Sequence, residues 1–487
     1  MASRTGIARR SFLQASGATL AGLTALRAEG EERETMSDRP PNIVLYITDE
    51  HRCDCVGAYG NPVIRTPNID RLAASGVRLN NLFSQFPLCG PSRTCFTTGQ
   101  YPQAHGVHFN GVPLRPHSPR IPRTLRDHGY ATAQVGMFNI EPRVGEVHGY
   151  DIFRHQPAEY PKWAAERGVT DTYPYGGEPR PDGYYGRVDY PAEAHAAHWV
   201  AEASIETMEQ LADRPFFLEI NERYPHLPYV APPPYDTMYD PDEVPIAPSV
   251  SRDREDFRAI QEMHAIYYGM ISLVDDAFGR ILDAVDRLGL TDNTVVIFTA
   301  DHGDMLGHHD LWSKWALYDD DANLPFIIRY PGQPAQGVAI DGLAEEIDLA
   351  PTLYELAGAP VPRGVQGASL IPMIEGRSQG KDAVFGYQSY GEYPARIRPR
   401  RQMVRTRDWK LIHMPEGENL LFDLKNDPYE MDNRYDDPAC ADILRELKDR
   451  LLLWHLDAID TTAPSLFIPG QTEEAKAWIK RYIDPVT

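Results

Sequence analysis

The chain has 487 residues, 42% hydrophobic and 24% charged, a globular composition too long for one small core and suited to a large domain plus a smaller one. Its formal charge of −22 disfavours nucleic acid and anionic membrane surfaces as partners, and no run of about 18 apolar residues offers a membrane span. The 42 prolines and 37 glycines imply long ordered loops over a rigid scaffold, and five cysteines, an odd number in so large a chain, imply no disulfide framework.

The N-terminus reads ASRTGIARRSFLQASGATLAGLTALRAEG, with Arg9-Arg10 ahead of a mildly apolar, small-residue stretch. This resembles a twin-arginine export signal, so residues 1–35 are read as signal and linker and the protein as periplasmic or secreted. Cleavage near Ala28 would remove four arginines and take the charge from −22 to −26; a start at Met36 would instead leave a cytoplasmic protein. PPNIVLYITDE, Pro40–Glu50, reads as a buried parallel strand with acids at its C-terminal end. TPNIDRLAASG follows with a cap and helical spacing, and IPRTLRDHGYATAQVGM reads as helix, glycine stop, strand. The same alternation recurs in residues 195–221 and 265–304, and LPFIIRYPG supplies a further strand. Strands alternating with helices predict an α/β fold around a large, mainly parallel sheet. After about Gly376 the texture changes to short antiparallel strands at RQMVRTRDWKLIHM and NLLFDLKNDPYE and an amphipathic helix at 439–459. The expected division is therefore a catalytic domain over 36–376 and a C-terminal α+β subdomain with its tail over 377–487.

Two strand ends, read as lying at opposite ends of a wound sheet, carry acids: Asp49-Glu50 and Asp301-His302-Gly303-Asp304. Carboxylates there suit a hard cation such as Ca²⁺ or Mg²⁺, and the histidine admits Mn²⁺ or Zn²⁺. Between them in sequence stands Cys89-Gly-Pro-Ser-Arg93. Gly90 and Pro91 predict a tight turn and Ser92-Arg93 the opening of a helix, a setting that favours an anion and lowers a thiol pKa. A thiolate beside a hard-cation site is a poor chemical match, which argues that Cys89 does not act as a thiol. Cys53 and Cys55 read as core or loop residues and His105 as structural, while His108, His308 and His309 are rim or solvent-facing candidates.

The frame Cys89-x-Pro-x-Arg93 followed by TTGQYPQAHG resembles the signature of the type I sulfatases, members of the alkaline phosphatase-like superfamily. The resemblance extends over roughly Pro41 to Asp457 through GAYGNPVIRTPNIDRLAASGVRLNN, PHLPYVAPPPY, DHGDMLGHHDLWSK and DLAPTLYELAG. It implies that Cys89 is converted to formylglycine by a formylglycine-generating enzyme. The hydrated aldehyde would attack sulfur or phosphorus and then collapse to expel the anion. It implies one divalent metal, Ca²⁺ first with Mn²⁺ or Mg²⁺ as alternatives, held by Asp49, Asp301, His302 and the modified residue, with Glu50 as a further ligand. It also implies that Arg93 supports the nucleophile and the metal-site acids. His226 would contact the ester and protonate the leaving oxygen, and Lys314 would hold the transferred group.

One departure bears on substrate. Where many sulfatases carry Gly-Lys-x-His, this chain reads VGMFN, with Met137 for the lysine and Asn139 for the histidine. Phosphonate monoester hydrolases of the same superfamily also lack that pair and place an asparagine 21 residues after the modified cysteine, where Asn110 stands here as a substrate-binding candidate. The resemblance therefore implies sulfate ester hydrolysis first, phosphonate monoester or phosphate diester hydrolysis as the alternative, and a binding-only relative as a third reading. The substrate is expected to be a small anionic or zwitterionic ester, and a homo-oligomer is compatible with the sequence.

Overall fold

The structure is a computed structural model describing residues 39–170, 185–314, 316–390, 398–415 and 417–459. The export-signal reading and the tail from Thr461 lie outside the described residues. The chain builds β1 (Asn42–Asp49), β2 (Val77–Phe83), β3 (Ala131–Gly136), β4 (Ile152–His155), β5 (Tyr185–Arg187), β6 (Phe216–Pro225), β7 (Tyr229–Ala231), β8 (Thr294–Ala300), β9 (Asn323–Arg329), β10 (Val338–Ile340) and β11 (Ala344–Glu345). The main sheet runs β10-β2-β9-β8-β1-β6-β3-β4, with β11 on β2; β5 pairs with β7 apart from it. All its pairings are parallel except those of β9 with β2 and β8.

β1 is buried along its whole length, as a central parallel strand must be when helices cover both faces. Its side chains divide with period two. Val44 and Tyr46 join one core with the helices Pro67–Ser75, Ala196–Leu211 and Phe257–Arg287, while Ile43, Leu45 and Ile47 join the other with the helices Ile121–Asp127 and Leu349–Ala357. β8 divides the same way, Val296 and Phe298 against Val295 and Ile297. β1 and β8 are direct neighbours, paired from Asn42↔Thr294 to Thr48↔Ala300. Asp49 and Asp301 thus meet side by side in mid-sheet, not at opposite ends as the sequence suggested. The cause is chain order: β8 returns to the centre by way of the long helix Phe257–Arg287 instead of extending an edge.

A second sheet, β12 (Val384–Tyr390), β13 (Arg398–Arg405), β14 (Trp409–His413) and β15 (Leu420–Asp423), is antiparallel throughout and carries the helix Ala441–Asp457. It meets the main sheet at two places that matter below. Tyr387 donates its backbone N–H to Gln85 O at 2.8 Å, and Lys410 of β14 reaches the turn Asp319–Ala322. Among the described residues no helix is long and apolar enough to cross a membrane.

Candidate active site

Three adjacent strands deliver the site: β1 ends in Asp49, β8 runs into Asp301-His302, and β6 carries Asn221 in its middle, opposite Ile47. Just after β1, Glu50 takes a left-handed φ of 66° that a non-glycine residue adopts only under constraint. Its N–H donates to Asp301 Oδ1 at 3.2 Å and its carbonyl accepts from Tyr267 Oη at 2.6 Å. Gly303 allows the turn after β8 to lie against the Asp319–Ala322 turn: a Cβ there would meet Asp320 O at 2.0 Å.

The fourth contribution is the helix Cys89–Thr98, all ten residues of which are buried. It begins at Cys89 itself, three residues earlier than the sequence suggested, because proline in a first helical turn forfeits an N–H that has no intrahelical partner anyway. Gly90 is required by close approach, since an added Cβ would lie 2.7 Å from Asn110 Oδ1, the atom that accepts the Gly90 N–H at 2.8 Å. The thiol therefore sits at a helix N-terminus in front of the acids. Burial, with Asp49 adding to it, pushes the thiol up in pKa, opposite to the lowering inferred from the helix end and Arg93.

Cys89 Sγ lies 3.4 Å from Asp49 Oδ1, 3.4 Å from His302 Nε2 and 3.3 Å from Lys314 Nζ. His302 Nε2 is 3.6 Å from Asp49 Oδ1 and 3.6 Å from Asp301 Oδ1. Arg93 bridges the two acids from below, with Nε 2.9 Å from Asp301 Oδ2 and Nη2 3.3 Å from Asp49 Oδ2, and its Nη1 donates to Asn221 Oδ1. Asn139 Nδ2 donates to Asp49 Oδ2 at 3.3 Å. On the outer side Lys314 Nζ is 2.7 Å from His226 Nε2 and 3.7 Å from Glu50 Oε2. The other ring nitrogen of His226 lies 2.6 Å from Leu227 O, which makes Nδ1 the N–H donor and turns the Nε2 lone pair toward Lys314. Ser313 donates to Glu50 Oε1.

Burial and neighbouring charges together set the electrostatics of the cluster. Burial pushes the Asp301 carboxyl up and the charge of Asp49 adds to it. Burial acts on Asp49 too, but the positive charges of Lys314 and Arg93 outweigh it and hold that carboxyl well below the usual range. For Glu50 burial is likewise outweighed, first by Lys314, and its carboxyl is lowered. Burial disfavours the ammonium of Lys314, yet Cys89, Glu50 and Asp49 more than compensate and raise it. The donor set fits a hard divalent ion: ligand atoms of Asp49, Cys89, Asp301 and His302 all lie within 4.8 Å of one another. Two ligands about 2.4 Å from one cation and at right angles would be about 3.4 Å apart, close to the spacings observed. Glu50 falls with Asp49 and His226 in an adjoining group instead. The one ill-matched donor is sulfur, whose Sγ occupies the place an oxygen on residue 89 would take.

Every candidate of the sequence reading reaches this region, although Asn110 does so through the Gly90 backbone. Of the flanking histidines, His105 packs against Cys95 at 3.3 Å, His308 is buried 3.1 Å from both Ser249 Oγ and Asp320 Oδ2, and His309 stacks on Tyr318. The sequence reading missed Asn221, Ser313 and Glu346, which accepts from Gln85 N–H at 2.7 Å beneath the helix. Asn221 follows FFLEI, a mostly apolar strand segment ahead of a polar residue, a weaker form of the pattern that marks Asp49. Ser313 and Glu346 lie in loop and turn segments where no periodicity points at them.

Residues 41–359 match the family described as sulfatase, and residues 307–456 the C-terminal region of N-sulphoglucosamine sulphohydrolase. An ulvan-active sulfatase of Formosa agariphila is 30% identical over 84% of this chain and 80% of its own. A multifunctional alkaline phosphatase superfamily protein of Trinickia caryophylli is 28% identical over 86% of this chain and 96% of its own. The crystal structure of the phosphonate monoester hydrolase of Agrobacterium radiobacter superposes with a TM-score of 0.78 at 25% identity, covering 87% of this chain and 97% of that one.

Proposed function

We propose, from the premise that this chain belongs to the sulfatase family, that it hydrolyses sulfate esters with an oxygen nucleophile made from Cys89. The observation that carries this reading is the convergence of Cys89 Sγ on Asp49, His302 and Lys314 within 3.3–3.4 Å at the buried N-terminus of its helix. Asp49, Asp301, His302 and residue 89 would hold a divalent cation, with Ca²⁺ the best fit to two carboxylates and Glu50 flanking. With the cation bound and residue 89 carried as hydrated formylglycine, the pair supplies an activated nucleophilic oxygen and Lewis-acid polarisation of the ester oxygens.

The chain's own residues do the rest. Arg93 fixes the two acids relative to each other and to the helix that carries residue 89. Lys314, with its ammonium favoured by the surrounding anions, neutralises the oxygens of the group in transfer. His226 shares a proton with Lys314 over 2.7 Å, and that proton stands at the outer face of the site, where a leaving alkoxide would need it. His226 and Lys314 keep 16% and 9% side-chain exposure, against 3% or less for Asp49, Asp301 and His302, so the ester enters on their side.

A second reading, hydrolysis of phosphonate monoesters or phosphate diesters, is favoured by Met137 and Asn139 in place of a lysine and a histidine and by Asn110 beside the nucleophile helix. Export through the twin-arginine route remains part of the proposal. Two measurements test it. Mass spectrometry of the tryptic peptide Leu79–Arg93 should show the aldehyde; an unmodified thiol in fully active protein would overturn the nucleophile. Parallel rates on an aryl sulfate, a phosphate diester and a phosphonate monoester should rank the sulfate first, and a higher kcat/KM on either phosphorus ester would transfer the assignment to the second reading.

A further inference from the structure

Beneath the site, Ser92 sets a proton-counting problem. Its Oγ lies 2.6 Å from the carbonyl oxygen of Asp301 and 2.7 Å from Oε2 of Glu346. A hydroxyl has one proton to give. The Asp301 carbonyl has none, so it must receive the Ser92 proton. Two oxygens held 2.7 Å apart without a proton between them would repel, so the second contact requires a proton on the glutamate. We propose that Glu346 is a neutral carboxylic acid that donates from Oε2 to Ser92, which donates in turn to the Asp301 carbonyl, so that this relay clamps the nucleophile helix to the strand end bearing the cation ligands.

The surroundings agree. Glu346 is fully buried, and its other oxygen accepts the Gln85 N–H at 2.7 Å. The groups that face it are the side chains of Ser92 and Cys95 from the helix and, from the loop after β2, the Ser84 side chain and the Gln85 backbone. On its own turn, Glu345 and Asp348 are bound to Lys381 at 2.5 and 2.8 Å, and Glu345 also accepts from Tyr101 Oη at 2.7 Å. Behind Cys95, His105 takes the Val107 N–H on Nδ1 and so presents an N–H to the sulfur. Among the described residues no cationic side chain pairs with Glu346, and burial pushes its acid up to about 8. Ser92 stands three residues from Cys89 and beside Arg93, while the Asp301 carbonyl immediately precedes His302. Ionised Glu346 would set two acceptors on one hydroxyl and loosen the two halves of the site from each other.

Glu346 and Ser92 are positioning residues; the catalytic consequence rests on the hydrolase reading, but the proton does not. Infrared spectroscopy of the unmodified, cation-free chain tests the proton alone. At pH about 7 the wild type should show a protonated-carboxyl band stronger than that of Glu346→Gln, and this difference should be lost as pH rises through about 8. The amide of Glu346→Gln can donate to Ser92 and still accept from Gln85. On an aryl sulfate the variant should stay within about threefold of wild type at pH about 7 and lack a decline of about fivefold or more that the wild type shows by pH about 9.5. A band unchanged in Glu346→Gln, or identical pH profiles for the two proteins, overturns the clamp. If the band behaves as expected and no ester is turned over, the function reading fails and the clamp stands.

Discussion

Two buried charge clusters share this molecule, and they are built to opposite rules. At the joint between the sheets, Lys410, itself fully buried, sits 2.5 Å from Asp319 and 2.6 Å from Glu430, and Arg405 adds a contact to Asp319 at 3.4 Å. Its charges are matched at close range. At the strand ends, Asp49, Asp301, Glu50, His302, Lys314 and Cys89 face one another mostly at 3.3–3.7 Å. That spacing is too long for strong direct pairing and is close to what ligands around a shared ion would show. A closed cluster holds parts together; an open one keeps room for something to bind. The two are joined by one turn, in which Asp319 serves Lys410, Asp320 pairs with Arg52 and His308, and Asp321 lies 3.8 Å behind His302.

The sharpest test removes one charge from each cluster. Asp301→Asn should lower kcat/KM by at least about a thousandfold, roughly 4 kcal/mol, and lower bound divalent ion in parallel, because it takes away a ligand and one anchor of Arg93. In the cation-free chain the same change should leave thermal stability unchanged or raised, since it relieves repulsion with Asp49. Metal analysis and calorimetry on the same preparation check both; full metal content at full rate would dissolve the distinction. Lys410→Met should do the reverse. It leaves Asp319 and Glu430 without their shared cation, costs about 3 kcal/mol of folding stability, and spares metal content at temperatures where the protein stays folded. Denaturant unfolding measures the loss, and a stable Lys410→Met protein would show that the joint is not held by that cluster.

Finer predictions probe how much charge the open cluster lacks. With Met137 in the lysine position, monoanionic esters should exceed phosphate monoesters in kcat/KM by at least about a hundredfold, roughly 2.7 kcal/mol. A charge at about 4 Å contributes roughly 4 kcal/mol at an effective dielectric of about 20 before desolvation offsets part of it. Met137→Lys should narrow the gap, and equal wild-type rates on both classes would mean that other residues supply the missing charge. The smallest effect concerns the unmodified chain. Because burial and Asp49 raise the Cys89 thiol, less thiolate is present at any given pH, and alkylation at pH about 8 should run about tenfold slower than for a free cysteine thiol, rising as the solution is made alkaline.

Much of this was readable in one dimension. β1 and β8 are apolar runs ending in acids, so both their burial and the cation-ligating role proposed for Asp49, Asp301 and His302 follow from pattern. The helix Ile121–Asp127, the strand Ala131–Gly136 and the antiparallel character of the C-terminal sheet follow from spacing and turn residues. The helix start at Cys89 is ambiguous in sequence because proline both forms turns and sits well in a first helical turn. The helix end and Arg93 are local influences on the thiol, whereas burial and Asp49, which only the fold supplies, decide it.

What the sequence determined alone is therefore the inventory: alternating elements, strand-end acids, and the frame Cys89-Gly-Pro-Ser-Arg93 that names a family. Those signals are local, carried by hydrophobic period, turn chemistry and residues adjacent in the chain. Tertiary structure alone decided which strands are neighbours, and hence that Asp49 and Asp301 stand side by side with Arg93 bridging them. It alone brought Glu346 under Ser92 across 254 positions and Lys410 onto Asp319 across 91. No periodicity encodes such meetings; they arise because burying both faces of one sheet forces distant polar groups into the same dry space, where each must find a partner.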